Sequence, residues 1–284
     1  MIEFHDFMKQ KGYLETSIRS YIKAVKLFIR WSEKNKVDLE TVDYNDLITY
    51  LNYLRERGNS RYTINGYLVA IQHYFKSLDL STYSIEHLRV RNKHRRLMTS
   101  RVIPFKELEE LYEVFPITTI SQKRYKVMFG LMVYQGLNTR DLNVLKLSDL
   151  NTSKGEINVP PTKLSNGRRL ELKQEQILPL FDYLYNARQE FESNELNIEK
   201  LFLSKSSTIK MIQHQLLVNL KKLNGSIISS RQVRASVIHH WLKKHNLRQV
   251  QYWCGHKYVS STEAYIDSEL LELEGELGSY HPMG

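Results

Sequence analysis

Apolar residues recur every three or four positions through the first 80 residues, and that period leaves the chain few ways to fold. Residues 14–35 set Ile18, Ile22, Val25 and Ile29 on one stripe, behind Thr16 and Ser17 as caps. A second stripe carries Leu47, Tyr50, Leu51 and Leu54, with Gly58 as a C-terminal stop. A third, between Ser60 and Leu78, carries Ile64, Tyr67, Leu68, Ile71, Tyr74 and Phe75. Each helix needs the others to cover its apolar face, so residues 1–88 are expected to form a helical bundle.

The rest of the chain changes character. Residues 89–101 hold six cations and no acid, and Pro104 follows. The 284 residues suit about two domains at roughly 100–200 residues each. We therefore expect a linker at 89–104 and a second domain over 105–284 that ends in a tail. The linker is either a solvated spacer or a segment that follows a phosphate backbone through Arg89, Arg91, Lys93, Arg95, Arg96 and Arg101. Beyond it, FKELEELYEVF, residues 123–135 and four later segments read as helices. Ile157–Val159 and Arg169–Leu172 read as strands flanking a turn at Ser165, Asn166 and Gly167. The fold class expected is mainly α with a small β-hairpin, the second domain being α+β.

Charge narrows the partner. All 41 Lys and Arg lie within residues 1–257, while six of the 31 acids follow them, so the body carries a surplus of 16 positive charges. Such a surplus favours a polyanion, because each neutralised phosphate releases counterions. With 42% hydrophobic residues, 12 Gly and 6 Pro, the chain can build a core, which excludes wholesale disorder and collagen-like structure. The single cysteine, Cys254, excludes an internal disulfide and a thiolate zinc cluster. The N-terminus lacks the apolar core of a signal peptide, and no stretch approaches about 18 uninterrupted apolar residues, so a cytoplasmic protein without a membrane partner is expected.

Chemistry concentrates between Arg231 and Ile266. Arg231 and Arg234 stand one turn apart near a helix start, where two guanidinium forks and free backbone N–H groups suit a phosphate. A short helix then ends in Gly255-His256, and Ser260, Ser261 and Thr262 precede Tyr265 as caps.

In this order Arg234, the helix start at Leu247–Gln251, Gly255-His256 and Tyr265 resemble the motifs of the tyrosine recombinases, the phage integrase and Xer-like family. Arg234 and His256 are 22 residues apart, and His256 and Tyr265 are 9 apart, spacings of the kind that family shows. The likeness extends over nearly the whole chain: residues 1–88 resemble its SAM-like core-binding domain and the remainder its catalytic domain. It implies a two-domain clamp around double-stranded DNA and a site-specific recombinase that cuts and rejoins strands through a 3′-phosphotyrosyl intermediate, with no cofactor and no metal. Tyr265 would be the nucleophile, and Arg234 would clamp nonbridging oxygens. His256 would donate a hydrogen bond to the phosphate or assist proton transfer. Lys163, at the end of the hairpin's first strand, would protonate the departing 5′-oxygen. A phenol with a pKa of about 10 needs such cations to attack phosphorus at neutral pH.

The chain departs from that pattern twice. The family's Gly-Leu-Arg turn reads Gly136-Leu137-Asn138-Thr139-Arg140-Asp141, so Asn138 takes the place of the first arginine while Asp141 keeps the acid. Either Arg140 reaches the phosphate from a shifted position or that charge is lost. The usual His-x-Leu-Arg-His reads Arg231-Gln232-Val233-Arg234-Ala235, so Arg231 restores a cation but cannot shuttle a proton at neutral pH. The resemblance also implies a homotetramer on paired DNA sites, coupled by the acidic, leucine-bearing tail from Ser268 to Leu277. That tail otherwise folds back on its own domain. A bacterial or mobile-element origin and a place on nucleoid DNA go with it. The alternatives are a catalytically impaired DNA-binding relative and a type IB topoisomerase-like enzyme.

Overall fold

The computed structural model describes residues 2–80, 85, 88, 102–194, 198–203, 208–227 and 229–266. Two compact units divide the chain, residues 1–95 and 96–284. The cations proposed for the linker, Arg89, Arg91, Lys93, Arg95, Arg96 and Arg101, lie outside the described residues, as does the tail from Ser268.

Among the described residues the first unit holds the helices α1 (Ile2–Gln10), α2 (Glu15–Asn35), α3 (Tyr44–Glu56) and α4 (Arg61–Ser77). The sequence reading gives no helix at α1, which offers only Phe4 and Met8 to the core, where they meet Ile18, Val25 and Ala70. Helix α2 begins without a side-chain cap, because Thr16 and Ser17 fall inside its first turn. Helix α3 starts on a reciprocal capping box between Asp43 and Asp46, and Ser60 caps α4. The second and third predicted stripes pack around Tyr50, whose ring lies 5.0 Å from Phe28 and 5.1 Å from Trp31, two α2 residues outside the predicted stripe. The α2 stripe itself, Ile18, Ile22, Val25 and Ile29, packs with α1 in a separate cluster.

The second unit is built around α6 (Ile120–Tyr134), which follows α5 (Phe105–Val114). Thr119 and Gln122 form a capping box that starts α6 three residues before the predicted helix. Val127, Met128, Phe129, Leu131, Met132 and Val133 are all buried, so α6 is enclosed on every side. Then come α7 (Thr139–Val144), β1 (Leu150–Asn151), β2 (Glu156–Val159), β3 (Arg168–Glu171) and α8 (Gln174–Asp182). Pro179 interrupts the hydrogen bonding of α8, and the Tyr112 hydroxyl donates to the carbonyl of Glu175 that it leaves free, at 3.3 Å. Helices α9 (Ile209–Leu223), α10 (Ser230–Lys244) and α11 (Leu247–Cys254) follow, and residues 260–266 form a final helix, α12.

The expected hairpin is a three-stranded antiparallel sheet, β1-β2-β3, in which Ile157 pairs with both Leu150 and Leu170. Two-residue β1 carries no alternation to read. Strand β3 opens at Arg168, one residue earlier than expected, so Arg168 and Leu170 face inward while Arg169 and Glu171 face out. This places a buried arginine against α7 and α11.

The Tyr50 hydroxyl is buried with no hydrogen-bond partner, and burial pushes its pKa up. Tyr50→Phe keeps the ring contacts and removes the unpaired group, so it should raise stability by about 1 kcal/mol, read by urea denaturation; a loss of that size would mean the hydroxyl is paired.

Candidate active site

Arg234 is the hub. It lies one turn into α10, which Ser229 caps, and seven consecutive residues from Gln232 to Ile238 are buried there. Its guanidinium donates through Nη1 to the Gly136 carbonyl and through Nη2 to the Cys254 carbonyl at 2.8 Å. Those carbonyls stand just past the end of α6 and at the end of α11, where helix dipoles favour a cation. Nη2 also lies 3.3 Å from His256 Nε2, and the guanidinium's charge bears on the Tyr265 phenol.

Beneath Arg234 is Asp141, fully buried in the first turn of α7. Its Oδ2 is 2.8 Å from Arg168 Nη2 and 3.9 Å from Arg234 Nη1. Asn138, where the family's arginine is expected, caps α7: its Oδ1 accepts the backbone N–H of Arg140 and of Asp141, while Asp141 Oδ2 accepts the Asn138 N–H at 3.2 Å. The short polar side chain is therefore engaged by the helix terminus.

His256 and Tyr265 complete the site. The imidazole stacks on the phenol ring at 6.1 Å and 12°. Its Nδ1 lies 2.8 Å from the hydroxyl of Thr262, a residue with no exposed surface. Since Arg234 can only donate, the network assigns the lone pair to Nε2 and the proton to Nδ1. Burial, then the Arg234 and Arg168 charges, push the His256 pKa down to about 4, so the ring is neutral at pH 7. Burial pushes the Tyr265 phenol up, opposed by Arg234 and by Arg231 from the exposed side of the same helix. Thr262, expected as a cap, instead fixes the imidazole.

The structure brings together Arg234, His256 and Tyr265, with the charge of Arg231 reaching the phenol. It leaves Lys163 and Arg140 exposed at the margin. Lys163 is not at the end of β2, which stops at Val159, but in the turn from Thr162 to Ser165. That turn is docked on the site: Ser165 bridges His256, and Asn166 N donates to the Gly255 carbonyl at 2.9 Å. Arg140 is the second residue of α7. Sequence reasoning missed Arg168. The signal was the two-residue alternation with Leu170, which turns Arg168 inward once the strand start is set correctly. Among the described residues, no cluster of three or more His, Cys, Asp or Glu side chains could hold a metal, and no helix is long and apolar enough to cross a membrane.

Residues 101–271 match the model of the phage integrase family, and residues 1–84 match that of the phage integrase N-terminal SAM-like domain. The tyrosine recombinase XerC of Bacillus pumilus is 26% identical over 96% of this chain and 92% of its own. The tyrosine recombinase XerA of Pyrococcus furiosus is 25% identical over 93% and 87%. The crystal structure of XerH site-specific recombinase bound to palindromic difH substrate in a post-cleavage complex has the same fold, with a TM-score of 0.75 and 18% identity over 96% of this chain and 82% of that one.

Gly255 ends α11 with φ +67°, and a Cβ there would stand 2.5 Å from Arg168 Nη1 and 3.0 Å from the Asn166 carbonyl. Gly255→Ala should therefore cost about 2–4 kcal/mol in urea denaturation, combining left-handed strain with overpacking. A cost no larger than that of a surface substitution would show that Arg168 is not fixed there.

Proposed function

The chain belongs to the phage integrase family, the tyrosine recombinases, and on that premise we propose how its residues cut and rejoin DNA. It is a site-specific DNA recombinase of the tyrosine type. The observation that carries the residue assignment is the meeting of three side chains, Arg234 Nη2 lying 3.3 Å from His256 Nε2 and the His256 ring stacking on Tyr265 at 6.1 Å.

In our reading the scissile phosphate enters over Arg234, whose charge is held by backbone carbonyls at two helix ends, and Arg231 adds a second guanidinium. Tyr265 Oη attacks phosphorus as the bond to O5′ breaks. The phenol proton passes to His256 Nε2, the ring nitrogen that Thr262 leaves free. Lys163, carried by a turn anchored to His256, protonates the departing 5′-oxygen. One phosphodiester is exchanged for one phosphotyrosyl ester, so a 5′-hydroxyl from another strand can reverse the attack without an energy source. Arg89, Arg91, Lys93, Arg95, Arg96 and Arg101 follow the DNA backbone, and four copies assemble on paired sites on cytoplasmic DNA.

Tyr265→Phe tests the nucleophile. On a suicide duplex carrying a cognate site, the parent should give a covalent adduct on a denaturing gel and the Phe variant none, with DNA binding retained; an undiminished adduct would remove Tyr265 from its role.

Arg140 supplies the guanidinium missing at Asn138, reaching a bound phosphate from the exposed first turn of α7. Arg140→Ala should slow cleavage by about 100-fold, the size of effect seen when a donor to developing charge is removed. Asn138→Arg should leave cleavage nearly unchanged and cost about 1 kcal/mol through the lost cap. Faster cleavage by the Asn138→Arg protein would show instead that the first cation is absent from this site.

A further inference from the structure

We propose that Arg168 is a positioning residue that occupies the Asp141 carboxylate, so that Arg234 meets the DNA phosphate with its charge uncompensated. This rests on the reading of Arg234 as the phosphate clamp.

The geometry sets up a contest between two guanidiniums for one buried acid. The side chains of Arg168 and Asp141 have no exposed surface, and their ion pair closes at 2.8 Å against 3.9 Å for Arg234. A carboxylate without water takes the nearest cation, and at these distances that cation is Arg168. Arg168 cannot drift away. Its Nε donates to the Trp253 carbonyl at 2.7 Å, and Gly255, bare of a side chain, lets Nη1 lie close against the backbone before His256. Arg234 is left with neutral acceptors, the carbonyls of Gly136 and Cys254 and the His256 ring. Two guanidiniums and one carboxylate leave about one net positive charge, and the pairing directs it to the side that faces Tyr265.

Without Arg168, Asp141 would have Arg234 as its only nearby guanidinium. The clamp would be drawn from its carbonyls toward the acid and its charge cancelled where the phosphate must bind. The demand is sharper in this chain because Asn138 supplies no charge at the position where the family places its first arginine. Arg168 also bears on His256, whose titration Arg168 lowers and Asp141 raises.

The test compares the full-length parent with Arg168→Gln, Arg168→Lys and the double variant Asp141→Asn/Arg168→Gln. Two readouts are followed: the adduct-forming rate at saturating suicide duplex and the His256 imidazole titration by NMR. Arg168→Gln should slow cleavage about 100-fold, as expected for loss of a cation from the transition state. The double variant removes the acid as well and should return to within about tenfold of the parent, because Arg234 is released again. His256 should titrate at higher pH in Arg168→Gln than in the parent and fall back in the double variant. A double variant that cleaves no faster than Arg168→Gln, or a His256 titration that ignores both changes, overturns the proposal, since a residue that only fills space gives neither rescue. If Arg168→Gln is too unstable to assay, the double variant and Arg168→Lys carry the test. Both should cleave within about tenfold of the parent, and either one falling about 100-fold below overturns the proposal. A parent that forms no adduct on its cognate site refutes the functional reading instead, and the His256 titrations still decide the charge balance.

Discussion

One buried carboxylate organises the catalytic unit. An ionised acid out of water is tolerable only when paired and hydrogen-bonded, and Asp141 finds its partners on elements far apart in sequence: the start of α7, the first residue of β3 and the second turn of α10. Removing one partner from such an arrangement costs about 3–5 kcal/mol, because a bare charge is left behind. The acid therefore fixes how helix, strand and helix meet. In the charge balance we propose, the same acid decides which guanidinium keeps its charge for the phosphate, so scaffold and electrostatics cannot be varied separately here.

The remaining parts depend on that arrangement. Gly255 has to be glycine twice over, for its left-handed backbone and for the space that Arg168 fills. Gly136 also has positive φ, a Cβ there would stand 2.9 Å from the Trp241 ring, and its carbonyl holds Arg234. Two helix ends thus present carbonyls to one guanidinium. A carbonyl aims the fork as well as a carboxylate does but does not cancel its charge, which suits a group whose task is to bind an anion.

What the sequence discloses divides along the same lines. The apolar stripes of α2, α3 and α4, the enclosed helix α6 and the order Arg234, His256, Tyr265 are legible because periodicity and local motif carry them. Helix α1 is not, since its apolar residues, Ile2, Phe4, Phe7 and Met8, span less than two turns, too short a stretch to establish a period. The extent of β3 is misjudged by one residue, and with period 2 that hides Arg168 altogether. Thr262 looks like a cap because it precedes Tyr265 among small hydroxyl residues, and only the three-dimensional path shows its hydroxyl on His256 Nδ1. Asn138 reads as a loss against the family pattern, whereas the structure gives it a local task as the cap of α7. Long-range polar pairing, the feature that defines this site, leaves no periodic trace in the chain.

In the mechanism we propose, charge balance also sets the protonation of the site before DNA arrives. In the free protein burial holds the Tyr265 phenol protonated, and burial, then the Arg234 charge that would ease the phenol's ionisation, holds His256 neutral, with a pKa of about 4. Such a ring is a weak base. A phosphodiester bound over Arg234 brings a negative charge to the imidazole and offsets the guanidinium that depresses it, so the His256 pKa must rise on binding. It would rise at Nε2, because Thr262 holds Nδ1. In the mechanism we propose, the substrate anion would thereby strengthen the base that removes the nucleophile's proton, while Arg231 and Arg234 would remain to stabilise the phenolate oxygen as it reaches phosphorus. Asp141 could not serve as that base, committed as it is to Arg168.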